Sequence, residues 1–255
     1  MQSNLNRLAI QPYFMKNTTP IKAITLDLDD TLWPVWPTIH EAEKHLFNWM
    51  LERAPATAAA NSIQTLSATR KEVELLYPQY KHNLSFYRRE AIRLLLKQHG
   101  DDEALADEGF NVFFQARQNV RLFKDVIPSL KQLSAHYPIV GITNGNADLN
   151  TIGIKQFFKE SITAQHFGVC KPDQQIFLEA TRILNISTPS HILHVGDDFK
   201  LDVLGAKQVG FKTAWIKRPE LDIPDVAPSE LHAADFLVTD LEDLCKQLEM
   251  YLRAP

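Results

Sequence analysis

Two carboxylates one residue apart, Asp27 and Asp29, stand directly after the apolar run Ala23–Leu26 in the segment D-L-D-D-T. A carboxylate can act as a nucleophile toward phosphorus. A metal ion keeps it ionised and offsets the repulsion between neighbouring anions. A second carboxyl, less tied to the metal, can hold a proton for a leaving group. Three further segments follow in order: I-T-N-G at Ile142–Gly145, K-P-D at Lys171–Asp173, and H-V-G-D-D-F-K-L-D at His194–Asp202. The Thr143 hydroxyl and the free backbone N–H groups of the T-N-G turn suit a phosphoryl oxygen. Lys171, biased to an extended conformation by Pro172, is a point charge for a phosphoryl group. Mg²⁺ takes one or two protein carboxylates with waters and substrate phosphate, and Asp27 with Asp197 provides such a pair. Asp198 stands beside them, and Asp202 is expected to support the loop or cap the next helix. Together these groups suffice for Mg²⁺-assisted phosphoryl transfer through an aspartyl intermediate. Singly, each also suits an Asp-rich turn, a strand-to-helix turn or an exposed lysine at a helix start. In this order, each beside an expected strand, they read as one site.

Such groups converge only if the strands before them share one sheet edge. Ala23–Leu26, Ile139–Thr143, Ile192–Val195, Thr213–Ile216 and Phe236–Val238 are short apolar runs of the kind buried on both faces of a parallel sheet. Helical patterns over Val126–His136, Gln174–Leu184 and Leu201–Val209 lie between them. The alternation predicts a doubly wound α/β core, in which ligands bind at the carboxyl ends of the strands.

The stretch from Pro37 to Arg121 breaks that alternation and reads as helices only. Thr38 and Glu41 have capping-box spacing; helices are predicted from there, over Ser62–Tyr77, Ser85–His99 and Glu103–Val120, with an Ala-rich turn at Ala54–Ala60. The expected organisation is an extension over 1–20, a core of 21–36 and 121–255, and an all-helical domain over 37–120 inserted after the first strand. Met15 is an alternative start.

The bulk composition narrows the partners. A net charge of −4 is too mild for nucleic acid as a main partner. No apolar stretch has the length of a signal peptide or a membrane span. Two cysteines, Cys170 and Cys245, do not make a disulfide framework, and a reducing cytoplasm is expected. His191 and His194 flank Ile192–Leu193 and are expected to be structural.

The four motifs, their order and the position of the helical insert resemble those of the haloacid dehalogenase-like hydrolase superfamily, from about Ile21 to Ile216. The segment Leu122–Leu133 is similar to the one before the family's second motif, with Pro128–Ser129 where the family often has Pro-Gly. The resemblance implies a Rossmann-like core with a helical cap of the first type. It implies Asp27 as nucleophile, Asp29 as general acid and then base, Thr143 and the Asn144 backbone on the phosphoryl group, and Lys171 balancing charge. Mg²⁺ would sit on Asp27, the backbone carbonyl of Asp29 and Asp197, with Asp198 and Asp202 supporting. Within the superfamily, I-T-N-G-N-A and H-V-G-D-D-x-x-x-D-V resemble bacterial phosphatases acting on 5-amino-6-(5-phospho-ribitylamino)uracil, flavin mononucleotide and other small phosphates.

The expected partner is therefore a small phosphorylated metabolite, with the protein a monomer or homodimer. A 2-haloacid dehalogenase, a phosphomutase and a non-catalytic phosphate-binding module are the alternatives; Asp29 argues against the first, since halide leaves unprotonated. Trp33 and Trp36, in the flap after Asp29, can stack on a flat ring or pack the hinge. Tyr87, Arg88 and Arg89 form a cluster of which one can reach a polar group of the substrate, with a solvated helix face or pairing with Glu90 the commoner expectation.

Overall fold

The computed structural model describes residues 19–227 and 230–253. Of the expected extension over 1–20, all but Thr19 and Pro20 lies outside the described residues, Met15 included.

Strands β1 (Ala23–Leu26), β2 (Ile139–Thr143), β3 (Glu160–Thr163), β4 (Ile192–Gly196), β5 (Lys212–Ile216) and β6 (Phe236–Val238) form one sheet in the order β3-β2-β1-β4-β5-β6. Every pairing is parallel. The apolar runs read from the sequence become strands because β1, β2 and β4 are buried on both faces. Adjacent residues serve opposite layers. Ile24 and Leu26 join Leu130, Leu133, Leu241 and Leu244 on one side, while Ala23 joins Val140, Ile142, Ile176, Phe177 and Phe211 on the other. The first layer is supplied by α6 (Val126–His136) and α8 (Leu241–Arg253), and the second by α7 (Gln174–Leu184). Strand order reverses at β1, which lies between β2 and β4, so the crevice at the carboxyl end of β1 is the natural ligand position.

Strand β3 was not foreseen. Its sequence, E-S-I-T, has one buried residue among four, and it pairs only with β2 at the sheet edge. Backbone pairing, not an apolar run, makes it a strand. The helix expected over Leu201–Val209 is also different: Phe199–Leu204 is a π-helical turn, followed by Gly205–Gln208 in α conformation.

Between β1 and α6 lie α1 (Val35–Arg53), α2 (Pro55–Ala60), α3 (Ile63–Leu76), α4 (Leu84–His99) and α5 (Ala106–Ala116). Ala42, Leu46, Met50, Leu66, Ile92, Leu95, Phe110 and Phe113 form their common apolar core. The expected capping box at Thr38 and Glu41 does not form. The Asp30 carboxylate accepts the Val35 N–H at 2.8 Å, so the helix starts earlier, and the Thr38 hydroxyl turns back to Pro34 O inside it. The capping box is at Ser62 and Thr65 instead. The Ala-rich turn is the helix α2, and the last helix of the insert ends at Ala116 rather than Val120. Arg88 and Arg89 do not pair with Glu90. Arg88 is buried against Glu43 at 2.9 Å and over the Phe113 ring, Arg89 pairs with Asp107, and the buried Tyr87 donates to Tyr77 O. Among the described residues no helix is long and apolar enough to cross a membrane.

Candidate active site

Asp27 leaves β1 with its N–H still bonded to Val195 O of β4, which fixes the residue at the sheet's carboxyl edge. Its Oδ1 accepts from Lys171 Nζ at 2.5 Å. The same ammonium donates to Asp202 Oδ1 at 2.5 Å, and Lys171 is buried. Asn144 holds the lysine backbone in both directions: Lys171 N–H donates to Asn144 Oδ1 at 2.7 Å and Asn144 Nδ2 donates to Lys171 O at 3.1 Å. Thr143 and Asn144, at the end of β2, are thereby tied to the K-P-D segment.

Asp202 is held from three sides. Beyond Lys171, it meets His194 Nε2 at 3.0 Å, and its Oδ2 accepts the Asp198 N–H at 3.1 Å. His194 Nδ1 lies 2.8 Å from Thr25 Oγ1. Burial pushes the His194 pKa down against the pull of Asp202. A neutral ring that accepts from the threonine and donates to the carboxylate satisfies both contacts. Thr25, His194, Asp202, Lys171 and Asp27 thus form one buried polar chain behind the site. The π-turn brings Asp202 under Gly196, where a Cβ would lie 2.3 Å from Asp202 Cγ; no side chain fits there. Asp198 points elsewhere: its Oδ1 caps the following turn, accepting from the N–H groups of Lys200 and Leu201.

The carboxylates are set for a cation. Asp27, Asp197 and Asp202 place oxygen atoms within 4.8 Å of one another. Burial pushes the Asp27 pKa up to about 7, with Asp202 and Asp29 adding to the rise and Lys171 opposing it. Burial, then Asp27 and Asp202, pushes Asp197 up to about 9. Asp202 is also buried, but Lys171 and His194 hold it down at about 2. One ammonium therefore serves Asp27 and Asp202, while among the described residues Asp197 has only the Thr31 hydroxyl, at 3.1 Å, as a side-chain donor. Two buried carboxylates and a half-buried one, served by one protein cation among the described residues, fit a hard divalent ion with oxygen ligands. Asp202 has its oxygens engaged by protein donors, so Asp27 and Asp197 are the side chains left to hold it.

Asp29 faces the other side of the crevice. Trp33 Nε1 donates to its Oδ1 at 2.9 Å, and Arg117 Nη2 donates to Oδ1 at 3.0 Å and Oδ2 at 2.8 Å. Trp33 is therefore a buried support for Asp29 and not a stacking face, while Trp36 is 70% exposed. The Asp29 carboxyl lies against the T-N-G turn: a Cβ on Gly145 would be 2.2 Å from Asp29 Oδ2. The Gly145 N–H donates to Thr143 Oγ1 at 2.9 Å, which leaves the threonine's own hydrogen free for an incoming oxygen. Gly145→Ala is expected to push Asp29 out of this position and lower kcat/KM by about 10²-fold, as sub-ångström misplacement of reacting groups does. Steady-state kinetics at unchanged melting temperature would check it.

Two arginines of this region carry no sequence signal. Arg117 directly follows α5 in the unremarkable run Q-A-R-Q-N and meets Asp29 across 88 residues. Arg218 donates to Thr31 O through Nε and Nη2, and to Asp125 through Nη1, bracing the segment after Asp29 from behind. Only proximity in the fold reveals either.

The family model of haloacid dehalogenase-like hydrolases matches residues 21–210. The 5-amino-6-(5-phospho-D-ribitylamino)uracil phosphatase YigB of Escherichia coli (strain K12) is 31% identical over 204 residues, covering 78% of this chain and 84% of its own. A glyceraldehyde 3-phosphate phosphatase of Methanopyrus kandleri is 30% identical over 206 residues, with coverage of 78% and 84%. The crystal structure of a 2-haloacid dehalogenase from Pseudomonas syringae pv. Tomato DC3000 superposes with a TM-score of 0.80 at 34% identity, covering 91% of this chain and 99% of that one.

Proposed function

The chain belongs to the haloacid dehalogenase-like hydrolase family, and from that premise we propose that it is a Mg²⁺-dependent phosphatase of small phosphate monoesters working through an aspartyl-phosphate on Asp27. The observation that carries this reading is the position of Asp29. A second carboxyl is fixed by Arg117 and Trp33 against the Thr143–Gly145 turn, beside a separate carboxylate bound to Lys171. An alkoxide leaving group needs a proton, and a halide does not. A positioned acid therefore favours phosphate esters over the haloacids named for the Pseudomonas syringae protein.

In this reading the Asp27 carboxylate attacks phosphorus and the ester P–O bond breaks as Asp29 gives its proton to the departing oxygen. Asp29 then takes a proton from water, which attacks phosphorus, releases inorganic phosphate and restores Asp27. Lys171 holds Asp27 in place and faces the charge of the transferring group. The Thr143 hydroxyl donates to a phosphoryl oxygen. The Asn144 side chain is occupied by Lys171, so its own contact with substrate falls to the backbone N–H. Asp27, Asp197 and the Asp29 backbone carbonyl would hold a divalent ion, which would neutralise charge on nucleophile and phosphate. Asp202 supports this set through Lys171, and Asp198 through its backbone N–H on Asp202 and the turn it caps. Residues 37–120 act as the cap over a core of 21–36 and 121–255, and exclude water until hydrolysis.

The test is phosphate release from a panel of sugar phosphates, nucleotides and flavin precursors. Chelation is expected to abolish turnover and added Mg²⁺ to restore it. Thermal melts should rise with Mg²⁺, by about 2.7 kcal/mol of stability at a hundred times its Kd. A panel that releases no phosphate under any metal condition sinks the reading. Among substrates, we place a flavin-biosynthesis intermediate or flavin mononucleotide first, on the likeness to the Escherichia coli enzyme. A large kcat/KM preference for sugar phosphates would move the assignment.

A further inference from the structure

Arg117 is used only in part by the contacts described so far. Its side chain is 2% exposed. Nη2 alone meets Asp29, while Nε and Nη1 are buried with no protein partner among the described residues. Buried donors without acceptors are unfavourable and uncommon, and where they persist they call for an explanation such as a ligand. If Asp29 needed only a counter-charge, one ammonium would serve. The guanidinium brings a rigid fork with five donors, and three of them remain.

Nη1 is bonded to the same carbon as Nη2, so the place of Nη2 also places Nη1. Nη2 lies 3.2 Å from the point where a Gly145 Cβ would stand, a point 3.2 Å from Thr143 Oγ1 and 2.2 Å from Asp29 Oδ2. Arg117 is thus packed into the crevice beside the acid. The phosphoryl oxygens already have Lys171, the Thr143 hydroxyl and the turn N–H groups. A proton donor must touch the leaving oxygen, so a group bonded to that donor borders the organic part of the substrate.

We propose that Arg117 is a substrate-contacting specificity residue whose Nη1–H groups, beside the Nη2 bound to Asp29, bind an oxygen of the leaving group near the ester oxygen, a hydroxyl or a carboxylate. It thereby selects phosphate esters of oxygen-rich metabolites over plain alkyl esters. The inference rests on the phosphatase reading above. A site built to bond an oxygen discriminates strongly against an analogue that lacks it, because its buried donors are then left unpaired.

Glycerol 1-phosphate and propyl phosphate test this, since both release an alkoxide and differ in the neighbouring hydroxyls. The Mg²⁺-loaded wild type should favour glycerol 1-phosphate by about 10- to 100-fold in kcat/KM. In Arg117→Met the two substrates should come within about threefold of each other. Arg117→Lys retains a cation for Asp29 and should recover rate on propyl phosphate without recovering the preference, which also keeps the test open if the methionine variant fails to fold. Calorimetry of glycerol 1-phosphate on Asp27→Asn, with and without Arg117→Met, should show Kd weakened by about tenfold or more. If the wild type shows no preference, or if the variants lose both substrates equally and keep it, Arg117 only positions Asp29 and the proposal fails alone. If the wild type releases phosphate from no ester, the phosphatase reading itself falls.

Discussion

Asp27→Asn is expected to fold normally and to lose at least about 10⁴-fold in kcat, the scale seen when a nucleophile is removed. A carboxamide has nearly the shape of the carboxylate, but its nitrogen lone pair is delocalised and its oxygen is a poor nucleophile toward phosphorus. Stability should not follow activity down. Asp27 shares a cluster with Asp197 and Asp202; burial raises both Asp27 and Asp197, and repulsion adds to it, from Asp202 on each and from Asp27 on Asp197. Removing one charge relieves that repulsion, and Lys171 keeps Asp202 as a partner. Without Mg²⁺ the variant should melt at or above the wild-type temperature. With Mg²⁺ it should gain less, because one of the two carboxylates left for the ion is gone. Phosphate release and paired melts in chelator and in Mg²⁺ are the measurements. More than a tenth of wild-type activity in Asp27→Asn would rule out an aspartyl-phosphate at this position.

Lys171→Met is expected to damage stability and catalysis together. The side chain is of similar length, so packing is nearly kept, but Asp27 and Asp202 lose the one cation they share. Removing one partner of a buried ion pair costs about 3–5 kcal/mol, and a chain of this size should then melt roughly 6–15 °C lower. The pH dependence has a definite sign. Without Lys171 the folded-state pKa values of both carboxyls rise above their unfolded values, so the native state binds more protons and stability falls as pH rises. Melts in chelator should therefore show a small deficit near pH 4 and the full one near pH 7. Catalysis should drop by about 10²–10³-fold, as on loss of one fixed electrostatic partner of the transition state. A variant that melts within 2 °C of wild type at pH 7, a shift of at most about 1 kcal/mol, would mean the lysine is not the counter-charge its geometry suggests.

The two variants probe residues that could be read in advance, and the reason is local. Asp27, Thr143 and Asp197 each follow a run whose apolar side chains have to be buried on both faces. Burial forces those runs into a parallel sheet, and a parallel sheet delivers the residues after its strands to one edge. Lys171 was legible through its proline and its place in the motif order. The helical insert was legible as helices but not in its joints. The capping box at Thr38 failed because the Asp30 carboxylate, five residues before Val35, had already capped the chain. Arg88 and Arg89 looked like surface charges because their partners, Glu43 and Asp107, are distant in sequence. Strand β3 escaped because an edge strand can rest on backbone pairing with almost no apolar pattern.

From its sequence alone, then, this protein reads as a doubly wound α/β chain with a helical block after its first strand and a carboxylate, hydroxyl and ammonium set at one sheet edge. Those features follow from hydrophobic burial and from the spacing of residues along single elements. The tertiary structure alone decided which group steadies which: Arg117 and Trp33 on Asp29, His194 and Lys171 on Asp202, Thr31 on Asp197, Arg218 behind the flap. Apart from Trp33 on Asp29 and His194 on Asp202, these contacts join residues far apart in the chain. They are set by where the strands and the insert come to rest, which the period of an apolar pattern does not encode.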